Sequence, residues 1–253
     1  MAGPRQEIEI VYEDDEVVGL VKPAGLPTAN APAGVESVYT LLRSRPPGDQ
    51  FVGIVSRLDA AVSGILPVAL TAAAAAALAR QFRHRTVGKR YLAIVEGRFP
   101  APLGVWADWH DMMRRRPEER KSELVGRPGG AATIPPAADD EAGGGAGEGR
   151  PTTAHVRARV LRRSGEVSLV ELLPTTGRRH QLRLQLSVRG CPIVGDRLYG
   201  ARLPFEAGIA LHAARLRFAH PRTGHAIELA APPPAAWKRR YPALCAAVRE
   251  RGD

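Results

Sequence analysis

Residues 155–173 read HVRARVLRRSGEVSLVELL, and the pattern in this stretch decides the fold class. Apolar residues at 156, 158 and 160 alternate with Arg157 and Arg159, which is the period of a strand with one core face and one basic face. A second run of strand-forming residues follows at 167–173. We therefore predict two strands, at 155–163 and 167–173.

Further strands are predicted on both sides of this stretch. The apolar runs at 8–12 and 17–22 are separated by an acidic turn and indicate a strand pair. Residues 89–96, KRYLAIVE, are apolar on both alternating faces, which indicates a central strand. Other segments predicted as strands are 51–55, 63–69, 209–219 and 225–230.

Helices are predicted at only two or three places. Thr71 is a plausible N-cap for the alanine-rich run at 72–82. Residues 178–189 alternate like a strand but also pair leucines four apart, and the bounding glycines Gly177 and Gly190 favour a helix. The sequence WKRRYPALCAAVRER, from residue 237, predicts a terminal amphipathic helix.

Strands that alternate with few helices, without regular βαβ spacing, indicate an α/β protein of the α+β type. We expect a mixed, mostly antiparallel sheet with peripheral helices, in a single domain over 1–253. The Gly- and Ala-rich text at about 124–150 predicts a flexible insertion. GxGxxG, Walker A, HExxH and GxSxG motifs are absent, so the sequence does not support a nucleotide-cofactor enzyme, a metalloprotease or a serine hydrolase.

The composition is that of an ordinary globular protein with a strong basic excess. Charged residues are 25% and hydrophobic residues 44% of the 253 positions, and the net charge is +10. Four of the 36 basic residues are Lys, which leaves 32 Arg. Arginine pairs bidentately with phosphate, so the excess favours a polyanionic partner. A genome rich in G and C also replaces Lys by Arg, so composition leaves both explanations open.

Two cysteines, Cys191 and Cys245, cannot form a disulfide framework, and no Cys/His motif offers a zinc site. No segment approaches the roughly 18 apolar residues of a membrane helix, and the N-terminus lacks an apolar signal core. We expect a cytoplasmic protein with no membrane contact and no metal.

The segment Arg57-Leu58-Asp59 is the first candidate for chemistry, because it lies between two apolar runs predicted to be buried. On these residues alone, the Arg and the Asp could equally form a structural ion pair. Three other segments change that balance.

Together the four segments resemble the RluA-type pseudouridine synthases. The first runs from Ile10-Val11-Tyr12-Glu13-Asp14 to Lys22-Pro23-Ala24-Gly25, and the second is Arg57-Leu58-Asp59 with Ser63-Gly64. The third is KRYLAIVEG at 89–97, similar to the family's KxYxAxVxG. The fourth is TGRRHQLR at 176–183 with GCPIVGD at 190–196 and LYG at 198–200. The order of the segments matches the family, and the resemblance covers residues 8 to about 230.

The resemblance implies an isomerase that converts a uridine of structured ribosomal or transfer RNA to pseudouridine. Because the reaction has no net redox change, it implies no cofactor and no metal. Asp59 is the implied catalytic carboxylate, acting at C1′ as in retaining glycoside chemistry. The sequence does not decide whether Asp59 attacks C1′ or removes the C2′ proton.

The same resemblance assigns roles to six further residues. Arg183 is the implied guanidinium partner of the carboxylate, with a phosphate contact as the alternative. Tyr91 is expected to stack on the uracil and to help remove the C5 proton, unless it is an ordinary core tyrosine. Arg57 is expected to fill the space left by the flipped base. The remaining substrate-binding candidates are Lys22, Arg178 and His180; for Lys22 and His180 a direct role on the pocket floor and a purely structural one remain open.

Two departures from the family pattern concern substrate choice. Ser56 stands where the family usually has His, and Ala60, Ala61 and Val62 stand at positions that are usually polar in the family. No small RNA-binding S4 domain, which some family members carry, is expected before the catalytic region. The alternative function is a non-catalytic RNA-binding or RNA-chaperone paralogue, and a hydrolytic glycosidase lacks an evident second carboxylate. We expect the protein to act as a monomer with RNA as its partner.

Overall fold

The computed structural model describes residues 8–46, 48–116, 118–119, 121–126 and 150–249. The strands are β1 Glu9–Glu13, β2 Val17–Lys22, β3 Ser63–Ala69, β4 Gly88–Glu96, β5 Ala107–Arg116, β6 Lys121–Gly126, β7 Thr152–Ser164, β8 Val167–Pro174, β9 Leu211–Ala219 and β10 Ala226–Ala230. The helices are α1 Val38–Arg43, α2 Ala72–Arg83, α3 Gln181–Ser187, α4 Ala235–Arg240 and α5 Pro242–Arg249, with a 3-10 helix at Arg197–Tyr199. The mixed, mostly antiparallel α+β class is confirmed.

The chain divides into two compact units, so far as its residues are described. One is Met1–Gly88 with His212–Pro232, and the other is Lys89–Leu211 with Pro233–Asp253. The single catalytic domain over 1–253 stays a prediction. Among the described helices, none combines the length and the apolar character needed to cross a bilayer.

The first unit is a sheet with strand order β1-β2-β3-β9, and β10 pairs with β9. Only the β3–β9 contact is parallel among these pairings, and it places Gly64 against Ala213. Gly64 has φ +122°, and an added Cβ would lie 2.3 Å from the carbonyl oxygen of Ala213. Only glycine allows this approach, which explains the Ser-Gly pair that follows the Asp59 segment.

The core of this unit lies between the sheet and helix α2. Leu78 on α2 packs with Ile65, Leu216 and Phe218 in one buried cluster. The helix begins as predicted, because the Thr71 side chain accepts a hydrogen bond from the backbone N–H of Ala74 at 3.1 Å. Its alanines place the helix close to the strands.

The second unit is an antiparallel sheet with strand order β4-β8-β7-β5-β6. In β7, a register shift between Val160 and Arg162 turns both Val160 and Leu161 inward, so the alternation of the segment changes phase there. In this unit the buried face of α3 packs through Leu184 against Met113 and Ala154.

Four local predictions need correction or fall partly outside the described residues. Residues 51–55 form a single β-bridge, Gly53 with Ala69, and not a strand. The helical alternative for 178–189 is confirmed, but the helix is shorter than the predicted segment and covers only α3, Gln181–Ser187. The terminal helix is two helices, α4 and α5, because Pro242 disfavours a helical conformation at Tyr241. The predicted insertion at about 124–150 lies mostly outside the described residues, and its first three belong to β6.

A buried histidine gives the first unit a pH-dependent stability. His212 is fully buried; its Nδ1 accepts from the Ser63 hydroxyl at 2.9 Å and its Nε2 donates to the carbonyl of Ala231 at 3.1 Å. Burial lowers the pKa of His212 from the ordinary 6.5 to about 4, against the opposing effect of the Ala231 bond. The folded chain therefore keeps this imidazole neutral where the unfolded chain protonates it.

We predict that the free energy of unfolding falls as the pH decreases from about 6.5 to about 4, by up to about 3 kcal/mol from His212 alone. The sign follows because the unfolded state binds the proton first. Urea unfolding across this range should show a shallower pH dependence in His212→Gln than in the unsubstituted chain. His225→Gln, which changes an exposed histidine, should keep the full dependence. Equal slopes in all three proteins would contradict the assignment.

Candidate active site

Asp59 lies in a tight turn directly before β3. Its carbonyl accepts a hydrogen bond from the N–H of Val62 at 3.0 Å, which closes the turn. Leu58 is buried, whereas Asp59 is partly exposed and Arg57 is exposed. The buried leucine thus fixes a segment whose two charged neighbours can reach solvent.

Lys22, the last residue of β2, is fully buried beneath this turn. Its Nζ donates to the carbonyls of Pro23 and Leu26, each at 2.8 Å, and to that of Ala60 at 3.1 Å. An ammonium group has three protons, so these three acceptors satisfy it fully. In this geometry Lys22 anchors the loop after β2 to the turn that carries Asp59.

A second set of hydrogen bonds joins the same two loops. The N–H of Gly25 donates to the carbonyl of Ala60 at 2.7 Å. The buried hydroxyl of Thr28 donates to the carbonyl of Leu58 at 2.8 Å and accepts from the N–H of Leu58 at 3.2 Å. The backbone on both sides of Asp59 is therefore held by the Lys-Pro-Ala-Gly loop and its continuation.

The electrostatics of the Lys22 side chain are set by burial. Burial lowers the pKa of Lys22 to about 7, and the Asp59 carboxylate acts in the opposite direction by favouring the ammonium form.

Tyr91 lies on β4 in the second unit, opposite Leu172 of β8. Its side chain is partly buried, and the four residues that follow it, 92–95, are fully buried. The neighbouring Arg90 pairs with Glu171, which is itself buried and also binds Arg159. The sheet therefore presents Tyr91 from a rigid strand.

Arg183 is buried on α3 and is held by a carboxylate of the same unit. Its Nε and Nη2 donate to the two carboxylate oxygens of Asp196 at 2.7 and 2.8 Å, and Asp196 is almost completely buried. The guanidinium also lies 5.1 Å from the centre of the Tyr199 ring. A bidentate pair of this kind fixes the plane of the guanidinium.

The segment before α3 is equally constrained. His180 adopts φ +55°, and its Nδ1 is 3.0 Å from the hydroxyl of Tyr199. That hydroxyl also accepts from the N–H of Ser122 at 2.9 Å. Arg178 is held on both sides, because its N–H donates to Gln181 Oε1 at 3.1 Å and its Nε donates to the carbonyl of Thr153 at 3.1 Å.

Helix α3 itself is anchored on β5 through the buried Asp111. Gln185 Nε2 donates to one carboxylate oxygen at 2.7 Å, and Arg189 Nη2 donates to the other at 3.1 Å. The Arg189 guanidinium also lies 4.1 Å above the Trp109 ring. These contacts position the helix that carries Arg183.

The structure therefore groups the predicted residues within each unit. Lys22, Arg57 and Asp59 belong to two joined loops of the first unit. Arg178, His180 and Arg183 belong to one segment of the second unit. Tyr91 belongs to the same unit but lies on β4. The pairing of Arg183 with Asp59 stays a prediction.

Several supporting residues had no assigned role in the sequence prediction. They are Thr28, Asp111, Gln181, Asp196 and Tyr199. The available signals were the Gly-Asp and Leu-Tyr-Gly text at 195–200 and the Gln after His180. Thr28 stands in a segment for which the sequence predicts no helix or strand. Within the described part of the chain, one group of side chains could hold a metal ion, Asp108, His110 and His155, and it contains none of the predicted site residues.

Comparison with known proteins gives one consistent result. The family model described as RNA pseudouridylate synthase matches residues 16–188. The chain is 32% identical to a dual-specificity RNA pseudouridine synthase RluA of Vibrio vulnificus over 225 residues, which cover 85% of this chain and 79% of the relative. It is 34% identical to a ribosomal large subunit pseudouridine synthase D of Xanthomonas campestris over 257 residues, covering 94% and 69%.

A solved structure supports the same assignment. Human RNA pseudouridylate synthase domain containing 1 superposes with a TM-score of 0.70 at 28% identity, covering 98% of this chain and 90% of that one. The first motif segment, at 10–25, extends beyond the start of the matched range. The Asp59 turn and Tyr91 lie inside that range. The chain belongs to the RNA pseudouridylate synthase family and is thereby an RNA pseudouridine synthase, an isomerase.

Proposed function

We propose that Asp59 is the catalytic carboxylate with which this RNA pseudouridine synthase acts on a uridine of structured ribosomal or transfer RNA. The reaction breaks the N1–C1′ bond, rotates the uracil and forms a C5–C1′ bond. N1 gains a proton and C5 loses one, so no electrons enter or leave. The chemistry therefore requires a carboxylate at C1′ and a group that removes the C5 proton.

The observation that carries this proposal is the double anchoring of the Asp59 turn by Lys22 and Thr28. Lys22 and Gly25 hold Ala60, and Thr28 holds Leu58, so the residues on both sides of Asp59 are fixed. A carboxylate that must meet C1′ at one point gains most from such preorganisation.

Arg183 is the proposed guanidinium partner of the Asp59 carboxylate, on the family resemblance. Its support within its own unit is rigidity, since the bidentate bonds to Asp196 leave the guanidinium little freedom. Arg57 is the proposed occupant of the space left by the flipped base. Its exposure, beside the buried Leu58, suits a side chain that enters the RNA stack.

The substrate class rests on the chemistry of the exposed basic residues and on the relatives. Arg157 is exposed, and its guanidinium lies 4.9 Å from the centre of the Trp106 ring, an arrangement that can meet phosphate or a base. Relatives of this chain include enzymes named for the ribosomal large subunit. We place the reaction in the cytoplasm, with the chain acting as a monomer; Arg178 and His180 complete the proposed RNA contacts.

The first prediction concerns the carboxylate. Asp59→Asn should lower the rate of pseudouridine formation on the order of 10⁴-fold or more, as the loss of a nucleophile does in other enzymes. RNA affinity and unfolding free energy should change little, because the isosteric amide keeps the turn. Tritium release from C5-labelled uridine RNA measures the rate, and Asp15→Asn, at an exposed turn, is the control. Activity retained by Asp59→Asn would refute the proposed role.

The second prediction concerns the tyrosine hydroxyl. Tyr91→Phe should keep RNA binding but slow turnover by roughly 10²–10⁴-fold, the usual cost of losing a general base or acid. Single-turnover assays should show base-exchange intermediates that accumulate before the C5 proton is lost. Tyr39→Phe, at a partly exposed tyrosine on α1, should leave the rate unchanged. An unchanged rate in Tyr91→Phe would make Tyr91 a core residue only.

The third prediction tests Lys22 as a positioning residue. Lys22→Met keeps the aliphatic stem but removes the donors to three carbonyls, so the unfolding free energy should fall by about 1–3 kcal/mol for each carbonyl left unsatisfied. If the Asp59 turn depends on these bonds, kcat should fall while KM for RNA changes little. Lys238→Met, at an exposed lysine, is the control. Full kcat in a folded Lys22→Met protein would limit Lys22 to stability.

A further inference from the structure

Three potential metal ligands meet on one face of the second unit, and none of them has a role in the proposed uridine chemistry. Asp108 and His110 stand two residues apart on β5, and His110 is the direct cross-strand partner of His155 on β7. Residues two apart on a strand point to the same face. One ligand atom from each of the three side chains lies within 4.8 Å of the other two.

The two imidazoles converge on one carboxylate oxygen. Asp108 Oδ1 contacts Nε2 of His155 and lies 3.5 Å from Nε2 of His110. The rings are stacked, with centres 4.1 Å apart and planes 21° from parallel. Both Nε2 atoms therefore point to the same small volume beside the carboxylate.

The far side of His155 supports a ligand role for its Nε2. Nδ1 of His155 lies 2.7 Å from the hydroxyl oxygen of Thr175. A metal ion on Nε2 would replace the proton that Nε2 donates to Asp108, and Nδ1 would then carry the ring proton and donate it to that hydroxyl. Metal-binding histidines commonly donate their other N–H to such an outer partner, which fixes the tautomer and the ring plane.

The site is also accessible. The side chains of His110 and Asp108 are 60% and 55% exposed, and that of His155 is 22% exposed. Arg157, opposite Asp108 on β7, has its guanidinium 4.9 Å from the centre of the Trp106 ring. An ion can thus reach the three ligand atoms from solvent.

We propose that Asp108, His110 and His155 bind one divalent transition-metal ion of the Zn²⁺ class, with water in the remaining position. Two neutral imidazole nitrogens and one carboxylate oxygen form a ligand set typical of Zn²⁺, Co²⁺ and Ni²⁺, whereas Mg²⁺ and Ca²⁺ prefer oxygen ligands only. Such an ion would join β5 to β7 across the His110–His155 pair. The three residues are too far apart in the sequence, at 108, 110 and 155, to form a recognisable motif.

The test uses the full chain without a histidine tag, freed of metal by a chelator and kept free of RNA, whose phosphates bind cations. Titration with Co²⁺ should produce visible d–d absorption, and calorimetry with Zn²⁺ should show one site per chain. His110→Ala and His155→Ala should each weaken Zn²⁺ binding at least tenfold. His84→Ala and His225→Ala, at exposed histidines elsewhere, should bind Zn²⁺ as the unsubstituted chain does.

Thermal unfolding provides a second measurement and shows that each variant is folded. Zn²⁺ should raise Tm in the unsubstituted chain and in His225→Ala but not in His110→Ala, and Mg²⁺ should raise it in none of them. Absence of Zn²⁺ binding by the unsubstituted chain would overturn the proposal and leave Asp108 as the hydrogen-bond partner of His155. Equal Zn²⁺ affinity in the unsubstituted chain, His110→Ala and His155→Ala would also overturn it.

Discussion

The burial of the Lys22 amino group is the constraint on which the two loops beside Asp59 depend. An ammonium group removed from water is costly unless each of its protons finds an acceptor. The chain meets this demand with carbonyls from Pro23, Leu26 and Ala60, which lie on two separate loops. The Lys-Pro-Ala-Gly segment and the Arg-Leu-Asp segment are thus parts of one hydrogen-bonded arrangement.

The second unit contains the opposite case, in which the buried charged groups are carboxylates and their hydrogen-bond partners are side-chain donors. Asp196 is the buried carboxylate there, and the fork of Arg183 satisfies both of its oxygens. Asp111 is satisfied similarly by Gln185 and Arg189. Each buried charge forces a helix or loop into one position, because the alternative is an unpaired charge away from water. The rigidity of the segments that carry the proposed catalytic groups is therefore a consequence of the buried charges beside them.

Sequence patterns predicted those elements whose side chains show a clear period or cap. Helix α2 has Thr71 and its alanines, the strand at 89–96 is apolar on both faces, and the strand at 155–163 has apolar alternation. Strand β5 reads ADWHDMMRRR, and its polar and charged residues hid the alternation of buried Trp109, Asp111 and Met113. Helix α1 is short and depends on the Ser37–Thr40 capping box, which propensity alone does not reveal.

The failed strand at 51–55 has a physical cause in pairing. β3 pairs with β2 from Gly64 to Ala69, and the start of its other edge pairs with β9 at Ser63 and Gly64. At the far end of that edge Ala69 bonds Gly53 in both directions, and this bridge is the whole of the recorded pairing between 51–55 and β3. The apolar run could be detected from the sequence, but the extent of its pairing with β3 could not.

The sequence motifs predicted which residues belong to the candidate site. They did not predict which side chains and carbonyls hold those residues in place. Asp59, Tyr91 and Arg183 were identified because each stands in a short signature. Thr28 could not be, because a single threonine in a loop carries no pattern until Leu58 is seen to bond it from both sides. Asp196 was part of a signature, but its partner Arg183 stands 13 residues away in the chain.

The basic excess has a different meaning once the ion pairs are known. Glu171 neutralises Arg90 and Arg159, and Glu123 binds Arg114 and Arg116. With Arg183 and Arg189 held by Asp196 and Asp111, a part of the arginine content stabilises the second unit through bidentate or forked contacts that lysine would make less well. An attraction for RNA must therefore come from arginines outside these pairs, and the exposed Arg57 is the one nearest in sequence to the proposed catalytic carboxylate.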